Sequence, residues 1–128
     1  MDIQDYKDSM NDIIARLDVV YEYYKTLRDI YNSIVRMESL LESTDVDVRE
    51  ESGDFLMGNR LSSERLAGYL DRVERTDWVS NIISELWHLS DDMINLYYSG
   101  NGDEYLDFAL NVQAIAEKQK KRFKKLNL

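Results

Sequence analysis

The sequence has no cysteine and no proline, and its 128 residues include only five glycines and one histidine. The absence of cysteine excludes disulfide bonds and thiolate chemistry. Proline and glycine interrupt helices, so their scarcity favours an all-α fold. Because histidine and cysteine supply many catalytic nucleophiles, bases and zinc ligands, we expect no enzymatic activity, no metal and no cofactor.

Long hydrophobic runs are also missing, since no stretch approaches the roughly 20 apolar residues that cross a bilayer. The first five residues lack the basic and apolar regions of a secretory signal. We therefore expect a cytoplasmic protein with no membrane association. With 44% hydrophobic and 32% charged residues, the composition is that of a folded chain, and the length predicts one domain with one core.

The charge is strongly polarised along the chain. The net charge is −9, yet the run from Lys118 to Lys125 carries six basic residues and leaves −15 on the remainder. An acidic body repels nucleic acid, so we expect no nucleic-acid binding except through this run. The run has two interpretations: a helix end whose cations offset the helix dipole, or a surface that binds phosphates or an acidic partner.

Apolar residues recur at alternating steps of three and four from Ile3 to Leu41, with an interruption at Glu38. This heptad pattern, typical of coiled-coil and bundle helices, predicts one long helix over residues 1–42. Further apolar residues widen the stripe, which indicates that the helix contacts more than one neighbour.

Residues 43–61, STDVDVREESGDFLMGNRL, contain turn signals, β-branched valines and two glycines, and predict a connector with room for a short helix. We expect its Phe55-Leu56-Met57 triplet to pack against the core, because three adjacent large apolar residues would otherwise face water. Helices are predicted over 62–75, 77–98 and 103–126, with Ser62 and Asp103 as N-caps and a kink or break at Thr76 or Asp77.

These elements predict an elongated antiparallel helical bundle of three to four helices with a long N-terminal helix. The later helices are too short to cover the first one completely. An uncovered apolar stripe requires another chain, so we expect a homodimer or a complex with a different protein.

Glu85 and His88 lie one helical turn apart, as do the Glu-x-x-His pairs of di-iron bundles. Such a site needs a second pair, which a chain with one histidine cannot supply by itself. We therefore predict that His88 is a polar residue at the edge of the bundle and not a metal ligand.

Tyrosine is abundant: nine in all, five of them in the first helix. Tyrosine supplies contact area with a polar tip and is enriched at protein interfaces. Tyr21 and Tyr23 stand outside the heptad seam, which makes them candidates for contact with a partner. The predicted partner-binding residues are this tyrosine region and the acidic connector: Asp18, Tyr21, Glu22, Tyr23, Tyr24, Asp45, Asp47, Glu50, Glu51 and Asp54.

The sequence thus predicts a non-enzymatic, acidic helical protein that acts through protein–protein binding, as an adaptor, inhibitor or immunity-type factor. Its acidic residues would steer a basic partner, and its tyrosines would be buried in the interface. One alternative is a self-assembling structural component, such as a viral or scaffold protein. Another is an acidic mimic of nucleic acid, which the charge of the body permits.

Overall fold

The computed structural model of the chain describes residues 2–74 and 78–126, and the side chains of residues 69–74 are outside this description. The described residues contain helices and no strand, which confirms the all-α class and the long N-terminal helix. None of the described helices is both long and apolar enough to cross a membrane. The five helices are α1 (Ile3–Leu40), α2 (Val46–Gly58), α3 (Ser63–Glu74), α4 (Trp78–Tyr98) and α5 (Asp103–Lys124).

The described residues hold one helix more than the three to four that the sequence predicts. The additional helix is α2, which occupies 13 residues of the segment that the sequence predicts as a connector with room for a short helix. Its N-cap is Asp45, whose carboxylate accepts hydrogen bonds from the backbone N–H groups of Asp47 and Val48. This cap offsets the low helix propensity of the two valines in the first turn. The predicted kink or break at Thr76 or Asp77 lies outside the described residues.

The chain forms two compact units, and the division between them falls inside α1, between Glu22 and Tyr23. Unit 1 takes in the described residues of 1–22 and 77–127, which are the first half of α1 together with α4 and α5. Unit 2 takes in those of 23–76, which are the second half of α1 together with α2 and α3.

The core of unit 1 is built from the heptad positions of its three helical segments. Its buried apolar residues are Ile13, Leu17 and Val20 of α1, Ile82, Ile83, Leu86, Leu89 and Met93 of α4, Phe108, Ala109, Val112 and Ala116 of α5, and Leu126 just beyond α5. Most of these residues follow the three-and-four spacing, because residues so spaced lie on one face of a helix.

Helices α4 and α5 pack against each other. Ser90 is fully buried, and its hydroxyl donates to the carbonyl of Ala109 at 3.2 Å and accepts from Nε2 of Gln113 at 2.9 Å. The turn between the helices contains Gly100 with φ of +97°, a conformation that glycine adopts without strain. The predicted cap of α5 is wrong by one residue, since Gly102 occupies the N-cap position and Asp103 begins the helix.

In unit 2, Glu38 joins α1 to the start of α3. Its carboxylate accepts from the backbone N–H of Ser63 at 2.5 Å and from the Ser63 hydroxyl at 2.8 Å. The polar interruption of the heptad seam is therefore a capping acceptor that approaches α3 from another helix. Ser62 accepts from the N–H of Arg65 at 3.1 Å, as expected for an N-cap. The buried side chains of unit 2 include Tyr24, Ile34, Ser52 and Leu56.

Candidate protein-binding surface

The ten predicted partner-binding residues are divided between the two units. Asp18, Tyr21 and Glu22 belong to unit 1, whereas the other seven, Tyr23, Tyr24, Asp45, Asp47, Glu50, Glu51 and Asp54, belong to unit 2. Each group is therefore described within its own unit.

In unit 1, Asp18 and Tyr21 meet at Arg122 of α5. The Nη1 atom of Arg122 donates to Oδ1 of Asp18 at 2.5 Å, and its guanidinium lies 3.8 Å from the centre of the Tyr21 ring. Phe123 contacts the same tyrosine edge-on, with the ring centres 5.7 Å apart. Because its ring is covered on one face by a cation and approached by another ring, Tyr21 is a packing residue that is only half exposed. Glu22 is exposed.

The two tyrosines of unit 2 that follow one another in α1 have different surroundings. Tyr24 is 6% exposed and belongs to the core, whereas Tyr23 is 39% exposed. Their rings lie 6.0 Å apart in an edge-to-face arrangement. Tyr23 therefore remains a candidate contact residue, and its ring packs against the ring of the buried Tyr24.

The acidic residues of the predicted connector are brought together by α2. Asp47, Glu50, Glu51 and Asp54 are all exposed, and their spacing of three, four and seven residues places them on one face of the helix. This set is called the acidic face of α2. Asp45 is also exposed, but its carboxylate is used to cap the helix.

An apolar groove that the sequence does not predict lies between α1 and the α2–α3 segment of unit 2. It consists of two adjoining hollows of about 300 and 470 Å³, and Ile30, Ile34 and Leu61 line both of them. Phe55 and Met37 complete the larger hollow. Ile30 is 43% exposed and Phe55 is 44% exposed, so large apolar surfaces face solvent at this place. These residues form the unit-2 groove.

Charged residues mark the two ends of the unit-2 groove. Asp29 lines the hollow that contains Phe55, whereas Arg60 and Arg65 line the hollow that contains Leu66. Glu51, of the acidic face, lies one helical turn before Phe55. One end of the groove is therefore lined by Asp29, whose carboxylate also forms an ion pair with Arg28 at 3.6 Å, and the other end by two arginines.

The prediction that the whole Phe55-Leu56-Met57 triplet packs against the core is wrong for two of its three residues. Only Leu56 is buried, while Phe55 and Met57 are exposed. Consecutive helical residues point about 100° apart, so a helix cannot turn three of them to the same side. Of the three residues, Phe55 lines the unit-2 groove.

Glu85 and His88 lie one helical turn apart on α4. Glu85 forms an ion pair with Nη2 of Arg16 at 2.5 Å, and His88 is exposed. Across residues 2–74 and 78–126, no three His, Cys, Asp or Glu side chains are grouped so that they could hold a metal ion.

The comparisons with known proteins identify no relative. No protein-family model, curated protein or solved structure matches this chain.

Proposed function

We propose that this chain is a non-enzymatic protein-binding module whose unit-2 groove receives a short amphipathic segment of a partner protein. The observation that carries the proposal is the groove itself, where Ile30, Phe55 and Leu61 expose large apolar side chains beside one another. Apolar grooves with polar ends are the surfaces into which amphipathic helices and peptides dock.

The charges around the groove indicate which charged residues a partner segment would carry. Residues 45–58 contain five acidic side chains and one arginine, and Asp29, which forms an ion pair with Arg28, lines the hollow that contains Phe55. The partner segment that fits would carry basic residues at this end and an acidic residue near Arg60 and Arg65. The carboxylates would steer the approach, while the apolar side chains would supply most of the affinity.

The predicted role of Tyr23 belongs to the same proposal. Its ring is partly exposed on α1 within unit 2, and tyrosines of this kind are frequent interface hot spots. Tyr23→Ala should weaken the complex and leave the melting temperature nearly unchanged. If Tyr23→Ala lowered the stability of the fold as much as it weakened the complex, Tyr23 would be a core residue like Tyr24.

The test of the groove compares matched variants in an affinity capture from the native host, with the captured proteins identified and quantified by mass spectrometry. Ile30→Ser and Phe55→Ser should each release a partner that the unaltered chain retains. Val19→Ser serves as the control, because Val19 is a 70% exposed apolar residue of unit 1 and does not line the groove.

The variants and the control are first compared by thermal unfolding to establish that all three fold. Retention of the same partner by both groove variants would contradict the proposal. Equal loss by Val19→Ser would contradict it as well, because binding would then depend on general surface hydrophobicity.

A further inference from the structure

Four basic side chains line one open cleft in unit 1. Lys118, Lys121, Arg122 and Lys125 surround a cleft of about 580 Å³ together with Tyr21 and Gln119. Their spacing of three, four and seven residues places them on one face of α5 and the turn that follows it. They span about 10 Å along the helix axis. This cleft is called the basic cleft.

The basic cleft is organised around an arginine that is fixed in place. Nη1 of Arg122 donates to Asp18 at 2.5 Å and to Gln119 at 3.3 Å, and the guanidinium rests on the Tyr21 ring. The other N–H groups of this guanidinium have no acceptor among the described residues. A guanidinium that is already held in place loses little entropy when it binds a further carboxylate.

The lysines of the cleft are exposed, and no carboxylate of the described residues forms an ion pair with them. Asp18 offsets one of the four positive charges, so the cleft retains an excess of cations. In a chain with a net charge of −9, a cationic surface of this kind is suited to an anionic ligand.

The acidic face of α2 has the complementary charges at the same spacing. Asp47, Glu50, Glu51 and Asp54 follow one another at intervals of three, one and three residues, and so do the four cations of the basic cleft. This pattern is the same when it is read backwards. The four charge pairs can therefore form with the two helices in either direction, and the helix dipoles favour the antiparallel one.

We propose that the basic cleft binds the acidic face of α2 from a second copy of this chain. Within the described residues, no ion pair engages the four carboxylates of that face, so they are available to another molecule. Each copy carries both surfaces, so two copies can pair reciprocally about a two-fold axis, or copies can join head to tail in a ring or an open chain.

This inference shares the acidic side chains of α2 with the proposed function, but it makes no use of the apolar residues of the unit-2 groove. The two ideas can therefore fail separately. If the chain remains monomeric, this inference is wrong. If replacing Ile30 or Phe55 still releases the partner, the proposed function stands.

The first measurement is sedimentation of the full chain over a range of concentrations at low and high salt. Because the contact consists of exposed charges, we expect association in 0.1 M salt and dissociation in 1 M salt, where the Debye length falls from about 10 Å to about 3 Å. A monomer at every concentration in low salt would overturn the inference, and so would an oligomer that salt does not affect.

The decisive measurement is a charge exchange. Lys121→Glu combined with Lys125→Glu reverses two of the four charges of the basic cleft and leaves Arg122 in place, and Glu50→Lys combined with Asp54→Lys reverses two of the four charges of the acidic face. Each double variant alone should associate about tenfold more weakly or worse. An equimolar mixture should recover association, because each variant supplies the surface that the other has lost.

The control reverses the same number of lysines elsewhere on exposed positions of α1, with Lys7→Glu and Lys25→Glu. Circular dichroism establishes that every variant is folded before its sedimentation is compared. A mixture of the two reversed variants that stays monomeric would overturn the inference, as would a control that dissociates to the same extent as they do.

Discussion

The link between Glu38 and Ser63 can be tested with a double-mutant cycle in the unfolding of the chain. Ser63→Ala removes one hydrogen bond of 2.8 Å to a carboxylate and leaves the bond from the backbone N–H. Hydrogen bonds to charged groups contribute about 1.5–3 kcal/mol when buried, and both residues are partly exposed, so we expect a loss of about 1 kcal/mol. Glu38→Ala removes both bonds and should cost about 2 kcal/mol, less about 0.3 kcal/mol for the higher helix propensity of alanine.

The double variant should be no less stable than Glu38→Ala alone, because the serine hydroxyl then has no carboxylate to bind. The coupling energy between the two residues should therefore be about 1 kcal/mol. Urea denaturation gives the free energies, and a loss of this size lowers the melting temperature by about 3–5 °C in a chain of this length. Glu42→Ala, which removes an exposed carboxylate just beyond α1, is the control and should change stability by less than about 0.5 kcal/mol. Strict additivity of the two single substitutions would refute the reasoning.

Three further predictions concern stability. Leu17 is fully buried, so Leu17→Ala should leave a cavity and lower the free energy of unfolding by about 3–4 kcal/mol, as measured by urea denaturation. A loss below about 1 kcal/mol would contradict this packing. Asp45→Ala removes the acceptor of two backbone N–H groups and should cost about 1 kcal/mol, with reduced helical circular dichroism; an unchanged signal would argue against the cap. Gly68→Ala should stabilise α3 by about 0.5–1 kcal/mol, because an added Cβ meets no atom within 4 Å. Gly100→Ala should destabilise the turn by about 1 kcal/mol, because Gly100 has φ of +97°. Melting temperatures that move in the same direction for the two variants would contradict these predictions.

The long helix could be predicted from the sequence because its information is local. The apolar spacing from Ile3 onward repeats at every turn, and the observed helix ends at Leu40, within two residues of the prediction. The Ser62 cap was also predicted from a local pattern, a serine just before an apolar helical stretch.

Helix α2 was harder to predict because its residues have conflicting preferences. The valines and glycines of 43–61 disfavour a helix, and the deciding contribution is one capping side chain, Asp45, together with the burial of Leu56. Once the segment is known to be helical, the acidic face follows from spacing alone.

The unit-2 groove could not be predicted, because its walls come from parts of the chain that only the fold brings together. Ile30 and Leu61 are 31 positions apart, and neither has a local pattern that indicates a shared hollow. The hydrogen bond between Glu38 and Ser63 could not be predicted for the same reason. The sequence shows Glu38 within an apolar seam, but its partner, Ser63, lies 25 residues away.

The division of α1 has a consequence for the order in which the chain can fold during synthesis. Unit 2 is continuous in sequence and is inserted between the two parts of unit 1, so all its residues leave the ribosome before α4 and α5. The apolar side of the first half of α1 has Leu17 at its centre. It cannot be buried in the core of unit 1 until Phe108 and Val112 have been synthesised. At about 5–20 residues per second this delay lasts several seconds, during which a nascent chain would display that side to chaperones or to neighbouring nascent copies.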